Sequence, residues 1–263
     1  MPSRPHAVLV AALVAVLDAT MARPASAADD IRARGVPWIR VFGVDDGIPQ
    51  STIEAIAFDT AGRLWIGTQG GPAFYDGRRF TPLPLPPAQV STFVRSIGAT
   101  RDGAVWFGMS SGHILRYADG AFARFGAGEG LTAGREVTAL VEAPLAHGSA
   151  LWAATLDGLY QLEGARFTQV DLGPGFEHPD VRALSPGTLP GGEPTLWVGT
   201  GQGLLHCEDR RCAPFESLAE GPPDKVINAL LETSDDNGRR RALWAGTYKG
   251  LARYADGRWE LVA

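Results

Sequence analysis

Apolar residues recur along this chain in short alternating runs, not at helical spacing, and one run returns five times. Leu64-Trp65-Ile66-Gly67-Thr68 reappears as Val105-Trp106-Phe107-Gly108-Met109, then as Leu151-Trp152-Ala153-Ala154-Thr155, Leu196-Trp197-Val198-Gly199-Thr200 and Leu243-Trp244-Ala245-Gly246-Thr247. The tryptophans are 41, 46, 45 and 47 residues apart. Before each lies a second alternating stretch, beginning at Ile53, Val94, Val137, Val181 and Val226. Period-two patterning predicts strands, so each unit opens with an inner strand A followed by the tryptophan strand B.

The rest of each unit is equally regular. A turn closing on Gly71, Gly112, Gly158, Gly203 or Gly250 leads into strand C. Strand C runs into Asp76-Gly77, Asp119-Gly120, Glu163-Gly164 or Asp256-Gly257, which predict two-residue hairpin loops. Strand D then starts at Phe80, Phe122, Phe167 or Trp259. A four-stranded unit at this period predicts an all-β fold, a β-propeller with five four-stranded blades over roughly 52–82, 92–126, 135–170, 180–217 and 225–263. In strand B the tryptophan and the glycine two residues on share a face, so each indole is expected to wedge against the adjacent blade beside a small residue. The five tryptophans, Trp65, Trp106, Trp152, Trp197 and Trp244, are therefore the expected structural repeat core.

One strand is left over at the front. Trp38-Ile39-Arg40-Val41 matches the D strands, and Asp46-Gly47-Ile48 matches Glu129-Gly130-Leu131 after another D strand. An outer strand over 37–43 with no A, B and C strands of its own predicts that the five blades are an incomplete part of a larger ring, and the chain the front part of a longer protein.

The address lies upstream. Arg4 and His6 precede an apolar run from Ala7 to Leu17, too short to span a bilayer, and Ala25-Ser26-Ala27 is a signal-peptidase site. Cleavage after Ala27 is expected, leaving a linker over 28–36, a propeller over 37–263 and a periplasmic location without membrane insertion of the mature part. Losing Arg4, Arg23 and Asp18 moves the formal charge from −5 to −6. Such an acidic chain is not expected to bind nucleic acid, which needs clustered Lys and Arg. Cys207 and Cys212 are the only cysteines, and they flank the C–D turn of the fourth unit, so an exported chain is expected to join them in a disulfide.

The opening Asp46-Gly47-Ile48-Pro49-Gln50-Ser51-Thr52-Ile53, then Asp59 and Gly62, Leu64-Trp65-Ile66-Gly67-Thr68 and the closing Tyr75-Asp76-Gly77-Arg78-Arg79-Phe80 resemble the two-component regulator propeller repeat. The likeness extends over residues 38–263 and weakens in later units, where Ala154 replaces glycine. The resemblance implies the periplasmic sensor propeller of a bacterial two-component or diguanylate cyclase type receptor. Such propellers are mostly seven-bladed, and the whole receptor would be dimeric and anchored in the inner membrane.

Candidate chemistry is sparse. No nucleophile elbow, zinc-protease helix, phosphate loop or calcium loop occurs in the sequence. His113, His147, His178 and His206 fall in different units, so no metal, cofactor or catalytic site is expected. Glu177-His178-Pro179-Asp180 is the densest polar cluster, in a D–A loop. The B–C and D–A loops share one rim, and the B–C tips differ in every unit while the frame repeats. Gln69, Asp157, Gln202, Tyr248 and Lys249 are accordingly the expected ligand-binding residues, for a small molecule or an oligosaccharide. A secreted propeller enzyme of lyase or glycosidase type, or a protein-interaction scaffold, are the alternative readings.

Overall fold

The computed structural model of the protein describes residues 40–87, 91–145, 148–176, 179–215, 222–235 and 241–262. The expected signal peptide and linker over 1–36 lie outside them, as do residues 37–39 of the expected outer strand. The chain divides into Met1–Phe42 and Gly43–Ala263. In the first unit, residues 40–42 are in no strand, and the Arg40 guanidinium lies 4.4 Å over the Phe42 ring.

The second unit is built from five antiparallel sheets of four strands. The first holds β1 (Ile53–Phe58), β2 (Leu64–Thr68), β3 (Gly71–Tyr75) and β4 (Phe80–Pro82). The second holds β5 (Val94–Ala99), β6 (Val105–Met109), β7 (Ile114–Ala118) and β8 (Ala121–Phe125). The third holds β9 (Val137–Leu145), β10 (Gly148–Thr155), β11 (Gly158–Glu163) and β12 (Arg166–Val170). The fourth comprises β13 (Val181–Thr188), β14 (Pro194–Thr200), β15 (Leu204–Glu208) and β16 (Arg211–Pro214). The fifth comprises β17 (Ile227–Ser234), β18 (Arg241–Thr247), β19 (Gly250–Ala255) and β20 (Arg258–Val262). Every sheet is a meander in chain order, and the inner strands β1, β5, β9, β13 and β17 lie side by side in succession. This is a β-propeller of five blades, and its helical content among the described residues is two single 3₁₀ turns.

Blade-to-blade packing follows the alternation in strand B. Trp65 and Gly67 share a face, and a Cβ added at Gly67 would lie 2.6 Å from Val94 Cγ1 of the next blade. Gly108 meets Val137 and Gly199 meets Ile227 in the same way, at 2.7 Å each. The small residue thus makes room for the β-branched start of the following strand A, and the indole fills the space beside it. Trp65 lies 5.8 Å from Phe107 and 5.9 Å from Tyr117, both in the second blade. Four of the repeat tryptophans are 1–3% exposed, and Trp244 of the last blade is half-buried.

Each indole N–H meets a different fate. Trp65 donates to Asp59 (2.9 Å), Trp106 to Thr100 (3.0 Å) and Trp244 to Thr233 (3.0 Å), all within their own blades. Trp197 donates to Glu232 of the next blade (2.7 Å), and the buried Trp152 Nε1 has no partner among the described residues. Asp59 also accepts from the Arg63 and Ala61 amides. Burial by itself would raise the Asp59 pKa, but the Trp65, Arg63 and Ala61 donors outweigh it and hold the carboxyl below its ordinary 3.8. The unfolded chain therefore takes up this proton first. The stabilisation is complete above the ordinary value and is lost as pH falls through the lowered folded value. Asp59→Asn is expected to flatten the acid side of the stability profile. Denaturant unfolding between about pH 7 and about pH 2 measures it, and parallel profiles for the two proteins would refute the assignment.

The C–D loops are less uniform than the sequence predicts. Asp119-Gly120 and Asp256-Gly257 form two-residue loops with both residues at positive φ, as expected. In the third blade the loop is Gly164-Ala165, one residue later than Glu163-Gly164, because Glu163 stays paired with Arg166. In the first blade Tyr75 pairs with Phe80, which leaves a four-residue loop. There Asp76 Oδ1 accepts from the Arg78 and Arg79 amides at 2.8 and 2.9 Å and so replaces the missing ladder. In the fourth blade Cys207 pairs in register with Cys212 across the loop, and their Sγ atoms are bonded.

The connectors before the first and third blades share one design. In Gly43–Ile48, Asp46 Oδ2 accepts from the Gly43 amide (2.9 Å), and in Gly126–Leu131, Glu129 Oε2 accepts from the Gly126 amide (2.7 Å). Gly47 (φ +93) and Gly130 (φ +97) then lie against the carbonyl oxygens of Phe80 and Phe167, leaving no room for a Cβ. The sequence match between Asp46-Gly47-Ile48 and Glu129-Gly130-Leu131 is therefore a match of backbone geometry.

Candidate functional site, a polar belt along the inner strands

In all five blades the register between strands A and B slips by one residue at the same place: between Ile53 and Ala55, Val94 and Ser96, Val137 and Ala139, Val181 and Ala183, and Ile227 and Ala229. The extra residues are Glu54, Arg95, Thr138, Arg182 and Asn228. A bulge turns its side chain out of the normal alternation. Strict period two over these strands, as read from the sequence, is thus corrected. Apolar residues three apart, such as Val94 and Ile97, both meet the Gly67 position of the preceding blade, and they can share a face only if one residue between them is looped out.

The bulged residues connect one blade to the next. Arg95 reaches back to Glu54 (2.7 Å) and forward to Glu136 (3.2 Å). Thr138 Oγ1 donates to the Val181 carbonyl (2.6 Å), and Arg182 donates to Asn228 Oδ1 (2.9 Å). Together they form a polar belt in which one contact bridges each pair of neighbouring blades from the first to the fifth. The Arg182 Nε donates to Asp180 Oδ2 (2.8 Å), and its Nη1 lies 3.5 Å from the Tyr248 hydroxyl. Burial disfavours the Arg182 cation, but Asp180 and Tyr248 outweigh it and raise its pKa. Arg182 is therefore a permanent donor. The Arg95 and Arg182 side chains stay 28% and 30% exposed, so the belt faces solvent.

The B–C tips above the belt are held by a repeated threonine lock. Thr68, Thr155, Thr200 and Thr247 end strand B, and their hydroxyls donate to the carbonyls of Gly71, Gly158, Gly203 and Gly250 at 2.8–3.0 Å. The same oxygens accept from the amides of Gly70, Asp157, Gln202 and Lys249. The lock fixes the turn backbone and leaves the tip side chains free to vary. Of the expected ligand residues, Gln69 joins the belt through Glu54 (3.2 Å), and Tyr248, 69% exposed, joins it through Arg182. Asp157 lies instead beside Arg135 of the preceding connector, 3.9 Å away. Gln202 and Lys249 are tied to the threonine lock through their backbone amides.

Other candidates do not gather. His113 lies between Ser111 and Arg124 in the second blade, and His206 lies against Trp197 in the fourth. Burial lowers both imidazole pKa values. Glu177, His178 and His147 fall outside the described residues. Among the described residues no group of three or more His, Cys, Asp or Glu side chains is placed to hold a metal ion. No helix among them is long and apolar enough to cross a membrane.

No curated protein matches the chain. Among solved structures, streptogramin B lyase is 13% identical and aligns over 82% of this chain and 70% of its own, with a TM-score of 0.62. A beta-propeller domain from Myceliophteria thermophila is 15% identical over 82% of this chain and 66% of its own, with a TM-score of 0.53. The extracellular domain of what is named a one component system from B. thetaiotaomicron is 18% identical, with a TM-score of 0.39. It is covered over 79% of this chain, and this chain spans 34% of its length. At 13% and 15% identity the likeness to the first two is one of fold. Residues 47–70, which run from the connector glycine through the bulge and strand B to the first threonine lock, match the family model for the two component regulator propeller.

Proposed function

We propose that this propeller is the periplasmic, non-catalytic ligand-recognition module of a bacterial signalling receptor, and that it takes a hydroxyl-rich ligand such as an oligosaccharide along the belt. The observation that carries the reading is the contrast within each blade. Apolar and small positions repeat from blade to blade, whereas the five bulged positions are all polar and of four kinds, Glu, Arg, Thr and Asn, with arginine in the second and fourth blades. Repeated positions serve packing; a row of dissimilar donors and acceptors on a rigid rim suits a ligand with many hydrogen-bonding groups. Arg182, Asn228 and Tyr248 form the densest part, with an exposed aromatic ring beside fixed donors, the pairing that sugars favour. The two component regulator propeller repeat at residues 47–70 supports the receptor context.

Isothermal titration against a panel of neutral and acidic oligosaccharides tests the proposal. At least one is expected to bind, with affinity reduced about 10- to 100-fold by Arg182→Ala or Tyr248→Ala, the loss of one or two buried hydrogen bonds. Unchanged affinity in a folded double variant would displace the site from the belt. A panel without any binder would remove the ligand class.

A further inference from the structure

The outer hairpins of the blades differ in what packs between them, and we infer that the Cys207–Cys212 disulfide is a redox switch for the junction of the third and fourth blades, tight while the bond stands and loosened when a dithiol reduces it. The inference does not rest on the ligand reading. The residues that face each other across the C–D turn are Tyr75 and Phe80, Tyr117 and Phe122, Leu162 and Phe167, Cys207 and Cys212, and Tyr254 and Trp259. In the second, third and fifth blades this large apolar pair packs with the strand B tryptophan of the preceding blade. Tyr117 and Phe122 pack with Trp65, Leu162 and Phe167 with Trp106, and Tyr254 and Trp259 with Trp197. In the fourth blade the disulfide takes that place, with Cys207 2% exposed in one cluster with Trp152 and Cys212 packed against it.

Bonded, the two sulfurs are a single apolar bridge fixed between the strands. As free thiols they are two small side chains, each able to rotate away from the indole. The Trp152 N–H has no partner among the described residues, so no hydrogen bond holds the ring once that packing loosens. The same bond closes the turn whose tip carries Arg210, and Arg210 donates to Glu163 Oε1 (2.8 Å) and to the Gln169 carbonyl (3.2 Å) of the third blade. Exposed ion pairs count for little unless their geometry is held, and the cross-linked turn holds this one. Cys207 is shut from solvent and Cys212 is partly exposed, so an incoming thiolate attacks the Cys212 sulfur. The disulfide bond breaks as the mixed disulfide forms, and Cys207 leaves as a thiolate and takes up a proton. The second thiolate of the reductant then displaces Cys212, which is protonated in turn. The protein's disulfide is reduced to two thiols, and the dithiol, having given up both protons and both electrons, ends as a disulfide.

Amide hydrogen exchange read by mass spectrometry, on the whole chain with and without dithiothreitol, tests the switch. Alkylation is expected to find both thiols free in the reduced, still folded protein. Reduction should then speed exchange at least about 10-fold in β10, β11, β12, β15 and β16, with the first and fifth blades unchanged. Arg210→Ala, which leaves the disulfide in place, should reproduce part of that gain in β11 and β12. The double variant Cys207→Tyr/Cys212→Phe restores the pair found in the second blade, and it should stay protected and ignore dithiothreitol. If that variant misfolds, Cys207→Ala/Cys212→Ala replaces it and should exchange as the reduced protein does, with or without dithiothreitol. A disulfide that resists dithiothreitol in the folded protein overturns the inference. So does faster exchange confined to the Cys207–Cys212 turn or spread evenly over all the blades, or an Arg210→Ala variant as protected as the parent.

Discussion

Replacing Gly130 with alanine is expected to destabilise the protein by about 3 kcal/mol or more, whereas the same change at Gly120 should cost only about 1 kcal/mol. Both glycines have positive φ, +97 and +78, so both substitutions carry the left-handed backbone penalty. They differ in surroundings. A Cβ at Gly120 meets nothing within 4 Å, while one at Gly130 would overlap the Phe167 carbonyl oxygen. A carbonyl in a paired strand cannot move aside as a flexible side chain can, and Phe167 is paired with Leu162 in the third blade. The second connector would therefore lift off the third blade and expose Leu131, now 4% exposed. Guanidinium unfolding of the two variants beside the parent measures the difference, and equal midpoint shifts would refute the close approach.

Trp197→Ala is expected to remove about 3–5 kcal/mol and lower the melting temperature by roughly 10 °C or more. Its ring is 2% exposed, packs edge-on against Phe215 at 4.8 Å and reaches the Ile227 and Leu230 side of the fifth blade. Removing it also takes a donor from Glu232, which would keep the Thr188 amide at 3.0 Å. Phenylalanine variants separate packing from hydrogen bonding. Trp197→Phe should cost about 1.5–3 kcal/mol more than Trp152→Phe, because the Trp152 N–H has no partner to lose among the described residues. Equal costs at the two positions would mean that the bond across the blades contributes nothing.

The blades themselves were legible because their signals are local. Alternation, glycine at turns and a bulky residue two positions before a small one are all decided within about five residues. The cysteine pair was legible for the same reason: Cys207 and Cys212 face each other across one short turn. The binding candidates were legible only in part. The tips of the B–C turns stood out as variable, and of these Gln69 and Tyr248 touch the belt, while Asp157 turns toward Arg135. The belt itself was missed. Its signal was present as apolar residues three apart in every strand A, a spacing that period two cannot accommodate. Five Val or Ile starts followed three residues later by Ile or Leu could have announced five bulges.

By itself, the sequence determined strand order, blade number, the shared register of the tryptophans and the glycine-dependent connectors, since each depends on contacts between near neighbours or on backbone angles that few residues adopt. The tertiary structure decided which side chains became a surface. Glu54 and Arg95, or Arg182 and Asn228, lie more than forty residues apart and meet only because successive blades set their bulges side by side. The fates of the indoles were decided there too, since the reach from Trp197 to Glu232 depends on how one blade is staggered against the next, a quantity that no local run of residues encodes.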